Sequence, residues 1–184
     1  MSTLAVNTLQ AQTGTTVSVS SGQTLYAPGH VVQVVSAVKS DTMTISGAYA
    51  DVLSCAITPK FNTSKIQVQV LLNASHTHRY SGCKLFRGST QIALGDADSG
   101  GFVSRVFMSI DANQDENTNA YVLRTMAGIF VDSPSTTSAT TYKIQCGLDD
   151  GSSTVTSINK QTHALTGNYS LRGITTITLM EIAQ

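Results

Sequence analysis

Tryptophan is absent from this 184-residue chain, and Asp, Glu, Lys and Arg together make up only 12% of it. A nucleic-acid footprint needs a clustered basic face. Eleven basic residues balance eleven acidic ones, and no run of Lys or Arg occurs, so that class of partner is excluded. Long apolar runs are missing too: the richest stretch, residues 31–38, is short and interrupted by Gln33 and Ser36, so no membrane insertion is expected. The three cysteines, Cys55, Cys83 and Cys146, stand far apart with no C-x-x-C, which argues against a zinc ribbon or a redox pair. Each lies in an apolar, strand-like run and reads as a small buried hydrophobe kept reduced. The start, Met1-Ser2-Thr3-Leu4-Ala5, shows neither the basic region nor the apolar core of a secretory signal, so folding in a cytosol is expected.

What the chain does have is Ser, Thr, Val and Ile in short alternating runs, with Lys, Glu and Leu too thin for a helical protein. Residues 66–72 give the clearest case: Ile66, Val68, Val70 and Leu72 share one face, with Gln67 and Gln69 opposite. Further strands are expected over 31–38, 42–45, 49–58, 83–86, 91–94, 102–110, 121–131, 141–148, 155–158 and 174–182. Arg87-Gly88-Ser89-Thr90 reads as a hairpin turn. Regularly spaced short strands without helical periodicity predict an all-β fold, an antiparallel jelly-roll sandwich over residues 29–184. Residues 1–28 differ. Around Val17, Val19 and Leu25 they hold too little apolar surface for a core of their own, so an extended stalk ordered by neighbouring chains is expected.

Several strands are apolar on both faces. In 121–131, Tyr121, Leu123, Ala127, Ile129 and Val131 share one parity, and Val122, Met126 and Phe130 the other. In 174–182, Ile174, Met180 and Ile182 oppose Ile177 and Leu179. A free antiparallel sandwich keeps one face polar, so a two-sided strand points to a face covered by another copy of the chain. Val122, Met126, Phe130, Ile177 and Leu179 are the candidate subunit-interface residues.

Chemistry is sparse. On an unbroken strand, His76 and His78 would share a face, and three such pairs around a symmetry axis would offer six nitrogens to a transition metal. The alternative is a strand-end pair packed or hydrogen-bonded without metal. Asp96-Ala97-Asp98 and Asp149-Asp150-Gly151 lack the glutamate that a twelve-residue calcium loop needs, and turn chemistry accounts for both. No G-x-S-x-G motif and no identifiable acid pair is present, so neither enzymatic activity nor an obligatory cofactor is expected. Glu181, near the end of the last strand, reads as an edge or interface charge. Polar loops at 111–119 and 159–172 present Asn113, Asn117, Asn119, Asn168 and Tyr169 as candidate receptor contacts.

Particular stretches are familiar. The run from Val131-Asp132-Ser133-Pro134 to Tyr142-Lys143-Ile144-Gln145 resembles a segment of the C-terminal heads of bacteriophage fibre and appendage proteins. So do Thr58-Pro59-Lys60 with Ser64-Lys65-Ile66, Lys84-Leu85-Phe86-Arg87-Gly88, Ser157-Ile158-Asn159-Lys160, and the ending Thr178-Leu179-Met180-Glu181-Ile182-Ala183. These heads are similar to trimeric jelly rolls of the C1q and tumour-necrosis-factor type. The first ten residues resemble the start of marine phage fibre-like proteins. The resemblance implies a homotrimeric structural virion protein, a fibre or decoration assembled in the host cytoplasm. Its N-terminus would dock to capsid or tail proteins through Leu4, Val6 and Leu9. A receptor- or glycan-binding module that recognises the host surface is the alternative it implies.

Overall fold

Alternation along the strands sorts apolar side chains to one side, and in the computed structural model those sides meet between two antiparallel sheets. Residues 8, 10–11, 13–77, 81–100, 103–110, 121–148, 155–163 and 170–184 are described. Among them run β1 (Val31–Lys39), β2 (Met43–Ser46), β3 (Ala50–Ile57), β4 (Lys65–His76), β5 (Ser81–Arg87) and β6 (Thr90–Ile92). They are followed by β7 (Met108–Ile110), β8 (Arg124–Asp132), β9 (Thr140–Gly147), β10 (Val155–Ile158) and β11 (Thr175–Ile182). Every expected strand is present, and Gly88, at φ 58°, opens the two-residue turn that pairs Arg87 with Thr90.

The central strand of the first sheet is β4. One edge pairs with β8 from Ile66 to Ala74. The other pairs first with β11, from Lys65 to Leu71, and then with β10, from Ala74 to His76. Beyond these lie β1 on β11 and β2 on β10, so the sheet reads β1/β2, β11/β10, β4, β8 across four positions. The second sheet reads β3, β9, β5 and then β6 and β7 sharing the far edge of β5. The chain crosses between sheets at β2–β3, β3–β4, β4–β5, β7–β8, β8–β9 and β9–β10, while β1–β2, β5–β6–β7 and β10–β11 stay within one sheet, a wiring consistent with a jelly-roll sandwich.

The core lies between the sheets. Ile66, Val68, Val70 and Leu72 of β4 and Ile177 and Leu179 of β11 face Leu85, Tyr142, Ile144 and Cys146 of the second sheet, all fully buried. Each aliphatic side chain so buried contributes about 1.5–3 kcal/mol by leaving water. Cys55, Cys83 and Cys146 are free and buried, as expected, with Cys83 directly opposite Cys146. The Cys83 side chain and burial together push the Cys146 thiol well above its ordinary pKa, so it stays an uncharged packing residue.

Where the outer strands break, one residue holds the sheet together. Asn159 is fully buried in a left-handed conformation (φ 60°) that asparagine tolerates. Its backbone N–H reaches Asn73 O at 2.8 Å, filling the gap that β4 would show between β10 and β11. Its amide Nδ2 donates to Lys39 O and Asp41 O at 2.8 and 3.0 Å, spanning the break between β1 and β2. Oδ1 accepts from the Thr175 hydroxyl at 2.8 Å.

Gly147, ending β9, has φ 151°, and a Cβ there would stand 2.6 Å from Tyr49 Cα and 2.9 Å from Ala48 O. Those atoms are backbone and cannot swing aside. Gly147→Ala is therefore expected to cost about 1–3 kcal/mol through strain, read as a lowered denaturant midpoint with an unchanged m-value.

Candidate interaction surface

Each sheet has an outer face, and the two differ in kind. On the second sheet, Lys143 Nζ lies 2.9 Å from Asp51 Oδ2, and Gln145 Nε2 donates to Asp51 Oδ1 at 2.6 Å. These hydrogen bonds, from Gln145 and then Lys143, hold the Asp51 carboxyl below the usual range. Lys84 Nζ sits 3.8 Å above the Tyr49 ring. That face is charged and internally paired, as a solvated face should be.

The outer face of the first sheet follows from the register of β1, β11, β4 and β8. One row is Val34, Met180, Gln67 and Val131; the next is Ser36, Thr178, Gln69 and Ile129; the third is Val38, Thr176, Leu71 and Ala127. No charged residue stands within these rows, and Lys65 is confined to the rim. Ile129 and Val38 are 60% and 59% exposed, high for side chains that lose free energy in water.

Two buried carboxylates close the same end of the sandwich. Glu181, 0% exposed, accepts from Lys60 N at 2.7 Å, Phe61 N at 3.2 Å and Gln33 Nε2 at 2.6 Å. Burial by itself would raise its pKa. Gln33, Ser64 and the Phe61 and Lys60 amides outweigh it, so the carboxyl is held below the usual range. Asp132, at the end of β8, accepts from Arg87 NH1 at 2.9 Å and from the buried Tyr142 hydroxyl at 2.7 Å, tying the first sheet to the second. Burial, then the hydrogen bond and charge of Asp132, push the Tyr142 phenol far above its ordinary pKa, so it remains the donor. A shallow groove of about 390 Å³ beside Arg87 is lined by Gly88, Pro134, Thr136, Thr140 and Thr141, where the guanidinium is already engaged by Asp132.

The sequence-derived site residues fall as follows. Leu4, Val6, Leu9, His78, Asn113, Asn117, Asn119, Asn168 and Tyr169 lie outside the described residues. His76 is 1% exposed on the inner side of β4. It thus has the inward parity of Ile66, Val68, Val70 and Leu72, as an unbroken strand requires. Among the described residues, no group of three or more His, Cys, Asp or Glu comes together.

The interface assignment needs correction by one residue of parity. Ile177 and Leu179 are fully buried in the protomer's own core, and Met126 and Phe130 are packed against that core. They face the second sheet because β4 dictates the register: Val68 pairs with Leu179 and with Phe130. The apolar residues left outside are Ile129 and Val131 on β8 and Met180 on β11. Val122 precedes β8 and is exposed. Glu181 is likewise corrected from an edge charge to a buried anchor. Asn159 and Asp132, both structurally central, carried no signal beyond being polar residues at strand ends.

The segment before β1 reaches the head at Tyr26, whose ring packs edge-on against Phe61 with centroids 4.9 Å apart and whose hydroxyl donates to the Gln184 carbonyl. Gly29 N and Ala183 N extend this with bonds to Ala183 O and His30 O at 2.8 and 3.0 Å. Residues 13–25 form no strand, and Val17, Val19 and Leu25 are exposed.

No protein-family model matches the chain, and no curated protein matches it. Among solved structures, the VP2 subviral particle of infectious bursal disease virus aligns with 83% of this chain and 38% of its own, at 11% identity and a TM-score of 0.39. The structure of the Gt strain of the same virus aligns with 92% of this chain and 42% of its own, at 11% identity and a TM-score of 0.41. The chain thus spans well under half the length of either.

Proposed function

We propose that this chain is a structural virion protein, a homotrimeric fibre or decoration whose N-terminal segment docks to capsid or tail proteins. The observation that carries the reading is the uncharged outer face of the first sheet, set against a charged and paired second sheet. A monomer in water has no use for such a face. A closed assembly of copies covers it. The sequence resemblance to phage fibre heads supplies the virion context and the threefold symmetry.

The N-terminal segment supports the attachment half of the reading. Val17, Val19 and Leu25 are exposed on a stretch that builds no strand with its own head. Such a segment gains order when partners cover it, which suits a docking peptide. Removing residues 1–25, short of the Tyr26 contact, is expected to leave a folded, self-associated head that is absent from purified particles, as read by mass spectrometry of those particles. Particles that carry the truncated chain at the level of the full chain would rule out N-terminal attachment. Particles that lack the full chain would rule out the virion role.

A further inference from the structure

We propose that the groove beside Arg87 binds an acidic sugar through its carboxylate, a site that needs no second copy of the chain and goes beyond the assembly role above. The groove lies where the β5–β6 turn meets the loop from β8 to β9. Its volume of about 390 Å³ falls within the range of about 300–1,000 Å³ usual for small-molecule sites. Arg87 is the one ionisable residue among those that line it. Asp132, 8% exposed, does not line it, so a ligand in the groove meets the cation and not its counter-ion.

The guanidinium is held in place but not used up. Its bonds, to both Asp132 carboxylate oxygens at 2.9 Å and to Ser133 O at 3.4 Å, all leave from Nη1. Among the described residues, Nε and Nη2 make no hydrogen bond, and the side chain is still 33% exposed. Nε–H and Nη2–H together form the planar edge of a guanidinium that matches the two oxygens of a carboxylate. Because Asp132 already fixes the fork, little rotamer freedom remains to be lost when a ligand docks. The walls supply what a sugar needs besides its acid group. Thr136 Oγ1 accepts from Ser138 N at 3.0 Å, which leaves its own hydrogen to donate. Thr140 Oγ1 donates to Ser138 O at 3.1 Å, which leaves its lone pairs to accept. Sugar hydroxyls do both, whereas the carboxylate of a peptide asks only for donors. Pro134 and Ala139 add apolar surface for the face of a ring. Gly88 N donates to Thr141 O at 2.8 Å and ties the turn to β9, so the groove is formed in advance.

Saturation-transfer NMR titrations of the full chain with three probes test this. Methyl glucuronide carries the sugar and the acid group. Methyl glucoside has a hydroxymethyl group in place of the carboxylate, and acetyl-diglycine has a carboxylate without a sugar. The glucuronide is expected to bind at least about tenfold more tightly than either, since each control lacks one set of hydrogen bonds. Ala139→Tyr sets a ring at the exposed rim of the groove, leaves Arg87 and Asp132 untouched, and is expected to abolish binding. Arg87→Lys keeps the charge but not the fork, and is expected to erase the preference for the glucuronide over the glucoside. Should Arg87→Lys fail to fold, Ala139→Tyr decides. No saturation transfer to the glucuronide overturns the site. Equal affinity for the glucoside overturns the role of the fork, and equal affinity for acetyl-diglycine overturns the sugar assignment. Glucuronide binding that survives Ala139→Tyr places the ligand elsewhere and overturns the groove. None of these readouts depends on assembly or on incorporation into particles.

Discussion

Glu181→Ala is expected to lower the stability of the head by about 3–5 kcal/mol, because it strips several buried donors of one acceptor. The carboxylate closes the turn at residues 60–61 onto the last strand and holds Gln33 of β1 across it, with bonds of 2.7, 3.2 and 2.6 Å. Alanine leaves the Lys60 and Phe61 N–H groups facing an empty volume, while the Gln33 amide keeps only its bond to Thr58 O at 2.7 Å. An unmade bond at a buried donor costs about 1–3 kcal/mol. Thermal unfolding at fixed protein concentration should show a fall in midpoint of about 10 °C or more. A fall of only a degree or two would show that the turn finds other acceptors.

The same carboxylate makes stability depend on pH with a defined sign. Its pKa in the fold is held below the usual range by Gln33, Ser64 and the two amides, against the opposing effect of burial. The folded state therefore binds that proton less readily than the unfolded chain. The contribution is fully present above the unfolded glutamate pKa of about 4.3 and is lost as pH falls through the lower folded value. Glu181→Gln, which keeps the shape but not the charge, should flatten this acid limb. Superimposable acid limbs for the wild type and Glu181→Gln would remove Glu181 from the account.

Much of the fold was legible because alternation is a local property. Ile66 to Leu72 against Gln67 and Gln69 identifies both the strand and its inner face, and β4 then sits at the centre of its sheet. Gly88 announces the β5–β6 turn by the one conformation glycine adopts freely. The face of β8 was not legible, since Met126 and Phe130 compete with Ile129 and Val131 and both parities are apolar. Only the register with β4 settles which pair points inward. For β11 a signal did exist: Thr176 and Thr178 alternate with Ile177 and Leu179, and hydroxyls belong outside. Glu181 and Asn159 were opaque for a different reason. A polar residue in a strand reads as surface unless its partners are known. Lys60 stands 121 residues from Glu181, and Lys39 stands 120 from Asn159. No local pattern encodes such pairings.

Asp132 is the second position where a single change should be severe. Its carboxylate belongs to the first sheet, while Arg87 and Tyr142 belong to the second, so this group joins the two layers. Tyr142 is fully buried, and its hydroxyl reaches Asp132 Oδ2 at 2.7 Å. Asp132→Ala strands both a buried phenol and a partly buried guanidinium, and removing one partner of such a pair costs about 3–5 kcal/mol. Tyr142→Phe, which removes only one hydroxyl, should cost about 1–2 kcal/mol. The double variant should lose less than the sum, because without Asp132 the hydroxyl has little left to contribute. Strict additivity in chemical denaturation would show that the two residues do not act as a unit. Alkaline titration gives an independent reading. Burial and then Asp132 hold the phenol protonated in the fold, so Tyr142 favours the folded state below the unfolded tyrosine pKa of about 10 and ceases to as pH climbs beyond it. Tyr142 absorbance should therefore titrate together with unfolding, and in Asp132→Ala that shared transition should move toward lower pH. An unmoved transition would leave burial alone as the cause and deny Asp132 its role as the acceptor that joins the sheets.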